Sequence, residues 1–322
     1  MFQPLHCGLY FTPEHIQQAR DQRESEPFRA AWSVLHQRRQ VDLLALAQWQ
    51  GLLYRFEDDA EAGARAVRIL QQDDLMPSDP LNPIELVASA LVQAQCFEMV
   101  RDHQTFADSG EWMQRFYGIV QELNHISDDW LYTEHVWLNA LNLAAGIVLE
   151  DEPLFTQAVD LFRDIIRHDV HPEGYIRKAA QGHKHESLMR MLRAAQGLIL
   201  TAEMATHAGE DLWAFNERRV SALTPMPYLL YYYYYPEKWR WDGEVEGDAV
   251  PEEGDSHIDI QAAQILYKRH AGMWEMAQRQ SWSKDRQMLL DEIRPVYDLW
   301  GGGLVTLTHG TPEQKRRRFG LF

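Results

Sequence analysis

Two clusters of side chains in this chain have the types and the spacing that chemistry requires. His135, Asn139 and Asn142 stand at i, i+4 and i+7, which stacks them on one stripe of a helix. The surrounding stretch, Tyr132 to Leu149, is apolar on its other faces, so it reads as a helix buried all round. A buried imidazole and two buried amides must each find hydrogen-bond partners or line a wet cleft. The second cluster, His183, Lys184, His185 and Arg190, lies at the head of a later apolar helix. Between them the clusters offer an imidazole that can take a proton or donate to an anion, amide donors, and cations for a negatively charged group. Each also has a purely structural reading: core polars satisfied internally for the first, and a Glu186–Arg190 ion pair at i, i+4 for the second. Glu134 could pair with His135 or point away from it.

The elements that must position these groups are helices. Thr12-Pro13-Glu14 predicts a helix start, with Thr as cap and Pro at the first helical position. Residues 41–56 are apolar and the following AEAGARAVRILQQ amphipathic; a proline-rich connector over 74–83 leads to a second such pair, IELVASALVQAQCFEMVRDH and SGEWMQRFYGIVQELN. The pair opened by Tyr132 comes next, then 185–207 with 210–223, and IDIQAAQILYKRHAGMWEMAQ with KDRQMLLDEIRPVYDLW. Small acidic turns recur between partners, at Glu57-Asp58-Asp59, Glu150-Asp151-Glu152 and Gly209-Glu210-Asp211. Such self-similarity marks repeated supersecondary units. Helices apolar all round alternating with amphipathic ones fit two concentric layers. The expectation is an all-α fold, an incomplete (α/α)5–6 toroid of antiparallel helical hairpins, forming one domain over residues 1–322. Only GGGLVTLTHG, near the C-terminus, hints at a strand.

Composition narrows the partners. With 322 residues, 45% of them hydrophobic, the chain can bury a large core. A formal charge of −17 argues against nucleic acid or an anionic membrane surface held by bulk electrostatics, while a local basic pocket remains able to bind an acidic ligand. Two cysteines, Cys7 and Cys96, are too few for a disulfide framework. No stretch reaches the length of a membrane span. No signal peptide is visible at the start, which fits a cytoplasmic protein, or a periplasmic or secreted one whose leader has been removed. His183 and His185 lack further ligands at metal-site spacing, so neither metal nor cofactor is called for.

Five stretches carry a resemblance: LYFTPEHIQQARDQRESEPFRAAWSVL, ALAQWQGLLYRFEDDAEAGARAVRIL, Glu134-His135 with Trp137 and Glu150-Asp151, HPEGYIRKAA with Gly174 and Tyr175, and AEMATHAGEDLW. Through them the chain resembles the alginate lyase superfamily of (α/α)-toroid polysaccharide lyases over roughly residues 8 to 225. Glu134 stands where that family has the Asn of an Asn-His pair, and the Arg…Tyr-His stretch reads HKHESLMRML, with Arg190 as the nearest counterpart of the Tyr. The resemblance implies β-elimination on a uronic-acid-containing polymer or oligosaccharide, alginate-like or glucuronan-like. Such a lyase takes the C5 proton beside the carboxylate and expels the C4 oxygen, so it must neutralise the carboxylate and supply a base and an acid. On that reading His135 is the base or neutraliser, Tyr175 a candidate acid, and Arg190 and Lys184 hold the uronate, with His185, Asn139 and Asn142 beside them. In PYLLYYYYYPEKWRWDG not every aromatic can face the core, and Tyr235, Trp239 and Arg240 are candidate sugar contacts.

Two other functions fit the same fold. A toroid glycoside hydrolase would need two carboxylic acids across the cleft, pairing Glu134 with Asp129, Glu173 or Asp255; a non-catalytic carbohydrate-binding toroid would need neither acid nor base. The lyase reading makes a geometric prediction: helices 132–149 and 187–204 are inner helices, and His135 and Arg190 open onto one cleft. Coordinates placing the two side chains on different faces would remove His135 from the site.

Overall fold

The computed structural model describes residues 2–37, 42–72, 74–77, 82–106, 109–243, 250–254 and 256–312. Part of the acidic loop 242–257, including Asp255, and the basic C-terminal QKRRRFGLF lie outside the described residues. The elements are α1 (Pro13–Asp21), α2 (Phe28–Gln37), α3 (Leu43–Glu57), α4 (Ala60–Leu70), α5 (Pro83–Val100), α6 (Ser109–His125), α7 (Tyr132–Val148), α8 (Glu152–His168), α9 (Arg177–Ala180) and α10 (Ser187–Thr206). They continue with α11 (Pro225–Tyr234), α12 (Ile260–Arg269), α13 (Gly272–Gln280), α14 (Lys284–Ile293) and α15 (Val305–His309). Among the described residues the only β features are isolated bridges. No helix is long and apolar enough to cross a membrane.

Two layers form as the sequence pattern predicts. Helices α3, α5, α7 and α10 pack side by side in succession, α13 follows on α10, and α15 leads back to α1 and α2. These inner helices are apolar all round: α5 buries every residue from Leu86 to Val100, and α7 all but a few of its positions. The partners α4, α6 and α8 lie outside and bury one stripe each, in α8 Phe155, Ala158, Val159, Phe162, Ile165 and Ile166.

The acidic turns are helix terminators joined to helix starters. Asp58 ends α3 in the left-handed region, at φ 57°, and Asp59 caps α4 by accepting from the Ala62 backbone N–H at 2.9 Å. Glu150, also at φ 57°, and Asp151, which accepts from the Leu154 N–H at 3.0 Å, repeat this between α7 and α8. Asp and Glu tolerate or favour these positions because a short acidic side chain satisfies orphan helix N–H groups and suits the positive end of the helix dipole.

Two expectations fail. After Gly209 (φ 89°), Asp211 accepts from the Ala214 N–H at 3.1 Å, yet 210–223 forms turns rather than a helix. Consecutive positive φ at Arg218 and Arg219 is incompatible with a right-handed helix. The strand expected in GGGLVTLTHG is instead a glycine turn followed by one helical turn, α15, whose five residues are all buried.

That glycine turn fills the middle of the toroid. Gln48 of α3 donates to the Leu299 carbonyl at 2.9 Å and to Gln95 of α5 at 2.7 Å; Gln95 donates to the Gly302 carbonyl at 2.9 Å. Gln196 of α10 donates to Asp298 at 2.7 Å, and Asp298 accepts from the backbone N–H groups of Gly272 and Gly301 at 3.1 and 2.9 Å. Buried amides are tolerable only when paired in this way. The turn needs glycine: a Cβ on Gly301 would lie 2.2 Å from Asp298 Oδ2, and Gly303, at φ 84°, would bring one 2.9 Å from the Gln48 amide. Gly303→Ala should therefore destabilise the fold by about 1–3 kcal/mol, read as a lowered Tm. Gly118→Ala on exposed α6, where an added Cβ meets nothing within 4 Å, should be neutral or stabilise by about 0.5–1 kcal/mol.

Candidate active site

α7 and α10 pack against each other, and the first turns of both carry ionisable side chains. Glu134 is buried on α7 and accepts from the Arg190 guanidinium at 3.2 Å; Arg190 also reaches Glu186 at 3.0 Å. The helix pair expected to be inner is inner, but the residue facing Arg190 is Glu134, not His135. One position further round the helix, His135 shares its stripe with Asn139 and Asn142, and that stripe faces the outer layer. Asn139 donates to the Ala158 carbonyl of α8 at 3.0 Å, and Asn142 exchanges two amide hydrogen bonds with Asn124 of α6, at 2.8 and 3.0 Å. Asn139 and Asn142 are therefore packing amides, and His135, one turn before them on the stripe, is half-buried.

The other expected contacts divide. Tyr175 is buried, stacked on His171 with ring centroids 4.2 Å apart and flanked by Trp241. These contacts hold its ring in the core. Trp239 is buried and donates its indole N–H to Ser187 Oγ at 2.7 Å, while Arg240 donates to the Tyr232 hydroxyl at 3.1 Å; both hold the 236–241 segment against α10 and α11. Tyr235 is exposed on a separate groove of about 380 Å³ that includes Tyr231, Tyr234 and Arg286. Lys184 and His185 sit on the exposed turn before α10, where His185 faces Asp242 at 3.4 Å. His183, half-buried, is held below its ordinary pKa by desolvation and by the Arg190 charge.

A pocket of about 430 Å³ opens between α10, the end of α12 and the central turn. Met189 and Arg193 line it from α10, Arg269 and His270 from the α12 terminus, and Tyr297, Asp298 and Trp300 from the turn. Trp300 meets Trp137 of α7 edge to face, 6.2 Å between centroids, and Trp137 donates to the Arg193 carbonyl at 2.9 Å. Among the described residues, neither Arg193 nor Arg269 has a carboxylate within ion-pair distance, and Arg193 Nε is buried without a hydrogen-bond partner. Burial pulls the Arg193 pKa below its usual value, with Glu134 opposing and Arg190 reinforcing.

His270 is the titratable group best placed here. Gln196 gives its amide N–H to Asp298, so its oxygen accepts the His270 Nδ1–H, at 2.6 Å. The neutral ring then carries its lone pair on Nε2. Burial first, then the Arg193 and Arg269 charges, push the His270 pKa down to about 3. Asp298, fully buried, is pushed up to about 6 by desolvation, against the backbone hydrogen bonds that favour its ionised form. None of Arg193, Arg269, His270, Tyr297 or Trp300 was singled out from sequence. The two arginines flank apolar helix positions and read as solvated surface charges, and the turn residues come to the pocket only through the glutamine contacts.

The alginate lyase family model matches residues 49–239. The chain belongs to the alginate lyase family. No curated protein matches it. Among solved structures, alginate lyase A1-III from Sphingomonas species A1 is similar with a TM-score of 0.66 at 15% identity, covering 88% of this chain and 78% of that one. A His-to-Ala variant of alginate lyase A1-III complexed with tetrasaccharide gives 0.65 at 15% identity, over 90% and 82% of the two chains. An alginate lyase from Bacteroides ovatus gives 0.65 at 10% identity, over 94% and 99%. These likenesses confirm the all-α toroid.

The depressed His270 pKa has a measurable consequence. Between pH 6.5 and about 3 the unfolded chain binds a proton at this position that the folded protein does not, so stability is full above pH 6.5 and falls as pH is lowered, by about 1.4 kcal/mol per unit from this group. His270→Gln should flatten the acid limb of a stability–pH profile by that slope. His135→Ala should leave turnover within about twofold of wild type, because an imidazole outside the site contributes none of the roughly hundredfold or more expected of a catalytic base.

Proposed function

We propose that this family member is a polysaccharide lyase that cleaves a uronic-acid-containing poly- or oligosaccharide by β-elimination, and that the pocket lined by Arg193 and Arg269 is where it does so. The carrying observation is the pair Arg193 and Arg269. Two guanidiniums without acidic partners among the described residues, half-buried Arg193 and exposed Arg269, line one pocket of a chain of net charge −17 and suit an anionic ligand there. A planar carboxylate matches the guanidinium fork. The tetrasaccharide found with the Sphingomonas enzyme variant supports an oligosaccharide as the ligand class.

In the mechanism we favour, Arg193 and Arg269 bind the uronate carboxylate and stabilise the charge that develops on it as the C5–H bond breaks. His270 Nε2 takes the C5 proton. The carboxylate also offsets the two positive charges that depress His270, so substrate binding raises the basicity of the group that needs it. The electron pair forms the C4–C5 double bond and the C4–O bond breaks, the departing oxygen taking a proton from water. His270 returns to its starting state by giving its proton to solvent. Trp300 offers its face to a sugar ring. A hydrolase is less well supported: it needs two carboxyls across the bond, and the one carboxyl among the pocket-lining residues, Asp298, is committed to hydrogen bonds from Gln196, Gly272 and Gly301.

A panel of polyuronates tests this. Turnover should appear as the ultraviolet absorbance of the unsaturated uronate. His270→Gln should lower kcat by roughly 10²–10⁴-fold, and Arg193→Ala should raise KM about tenfold or more. New reducing ends without that absorbance would establish hydrolysis, and a His270→Gln enzyme of wild-type rate would remove His270 as the base.

A further inference from the structure

Along α10 from Arg190, roughly 20 Å by helical rise, a second group of titratable side chains converges in the core. His15 comes from α1, Glu203 from the last turns of α10, His207 from just beyond it, and His309 from the end of α15. One ligand atom each from His15, Glu203 and His207 lie within 4.8 Å of one another. The fourth residue, His309, brings its Nε2 to 3.2 Å from the same Glu203 Oε1 that His207 Nε2 approaches, also at 3.2 Å.

The outer hydrogen bonds decide which nitrogens point inward bare. His207 Nδ1 lies 3.2 Å from the Leu9 carbonyl, which can only accept, so this nitrogen carries the proton. His309 Nδ1 lies 2.7 Å from the Thr308 hydroxyl, whose own proton goes to the Val305 carbonyl at 3.2 Å; this nitrogen too is the donor. In the neutral rings both Nε2 atoms are therefore lone pairs aimed at one carboxylate oxygen, an arrangement that repels unless a cation lies among them. His15 Nδ1 accepts from the Thr12 backbone N–H at 3.2 Å and lies 2.9 Å from the Thr12 hydroxyl, so the neutral ring carries its proton on Nε2; a cation bound at Nε2 would move that proton to Nδ1, where the hydroxyl oxygen can accept it. Its Nε2 is buried with no hydrogen-bond partner, in a residue only 8% exposed. Protons added to His207 and His309 would satisfy those two rings and leave His15 unsatisfied.

We propose that His15, Glu203, His207 and His309 bind a divalent transition-metal cation of the zinc class, tying the N-terminal helix α1, the inner helix α10 and the C-terminal helix α15 together. Three imidazoles and one carboxylate suit zinc and its neighbours rather than calcium or magnesium. The second shell has the form such sites use: Nδ1–H groups fixed by a carbonyl and a hydroxyl, and the far carboxylate oxygen of Glu203 accepting the Trp213 indole N–H at 3.0 Å. Bond lengths of about 2.0–2.2 Å in a tetrahedral site call for the ligand atoms to close in by about an ångström. The site is separate from the uronate pocket and stabilises the fold rather than taking part in elimination.

The test uses the full chain, stripped with a chelator and dialysed, then titrated with Co²⁺ and with Zn²⁺. One equivalent of Co²⁺ should give visible ligand-field bands of a four- or five-coordinate site, Zn²⁺ should abolish them one for one, and Zn²⁺ should raise Tm. Glu203→Gln, nearly isosteric and still able to accept from Trp213, should weaken Zn²⁺ binding by more than the roughly 10- to 100-fold cost of losing an outer partner; His15→Gln should do likewise. A folded, metal-free wild type that shows no bands at one equivalent would overturn the proposal. Bands and affinity unchanged in both folded variants would overturn it as well, by placing the ion elsewhere. If neither variant folds, the wild-type titration decides alone.

Discussion

The structure depends on three glutamines that point into the middle of a ring of apolar helices. Gln48, Gln95 and Gln196 come from three different inner helices, and each gives its amide N–H to the 298–303 turn. An unpaired amide donor there would cost on the order of 1–3 kcal/mol, and the turn cannot leave without taking a hydrogen bond from each of the three. This one constraint fixes the centre of the toroid and puts Tyr297, Asp298 and Trp300 on the pocket wall. Through Gln196 it also sets which nitrogen of His270 is free.

Charge follows from the same arrangement. The chain is strongly acidic overall, and its ion pairs mostly join outer surfaces, as between Arg167 and Glu217 or Arg55 and Asp102. The pocket reverses this sign locally: Arg190 is neutralised by Glu134 and Glu186, whereas Arg193 and Arg269 are left without acids among the described residues. Arg193 is partly desolvated, so its charge acts more strongly than one on the surface, which suits recognition of a single carboxylate within a repeating anionic polymer.

The fold was legible because it rests on local rules. Helices apolar all round and helices with one apolar stripe sort themselves into layers, and the acidic turns at Asp58-Asp59 and Glu150-Asp151 announce hairpins through capping chemistry. The third turn, at Gly209, has the same chemistry but no helix after it, because positive φ at Arg218 and Arg219 is set by the tertiary path rather than by composition. The site was much less legible. Helical spacing correctly put His135, Asn139 and Asn142 on one stripe, but spacing alone does not say which side of a fully buried helix faces the centre. The answer lay in contacts with α6 and α8. Arg193 and His270 are about 77 positions apart in sequence and meet only because α10 and the α12 terminus flank the central turn, a relation no local pattern encodes.

The most direct test of this account is a crystal structure of the His270→Gln protein with a saturated uronate oligosaccharide bound. The account predicts a carboxylate within hydrogen-bonding distance of Arg193 and Arg269, its C5 facing residue 270 and a sugar ring against Trp300. An oligosaccharide lying instead against His135, or in the groove at Tyr234 and Tyr235 with the arginine pocket empty, would contradict it.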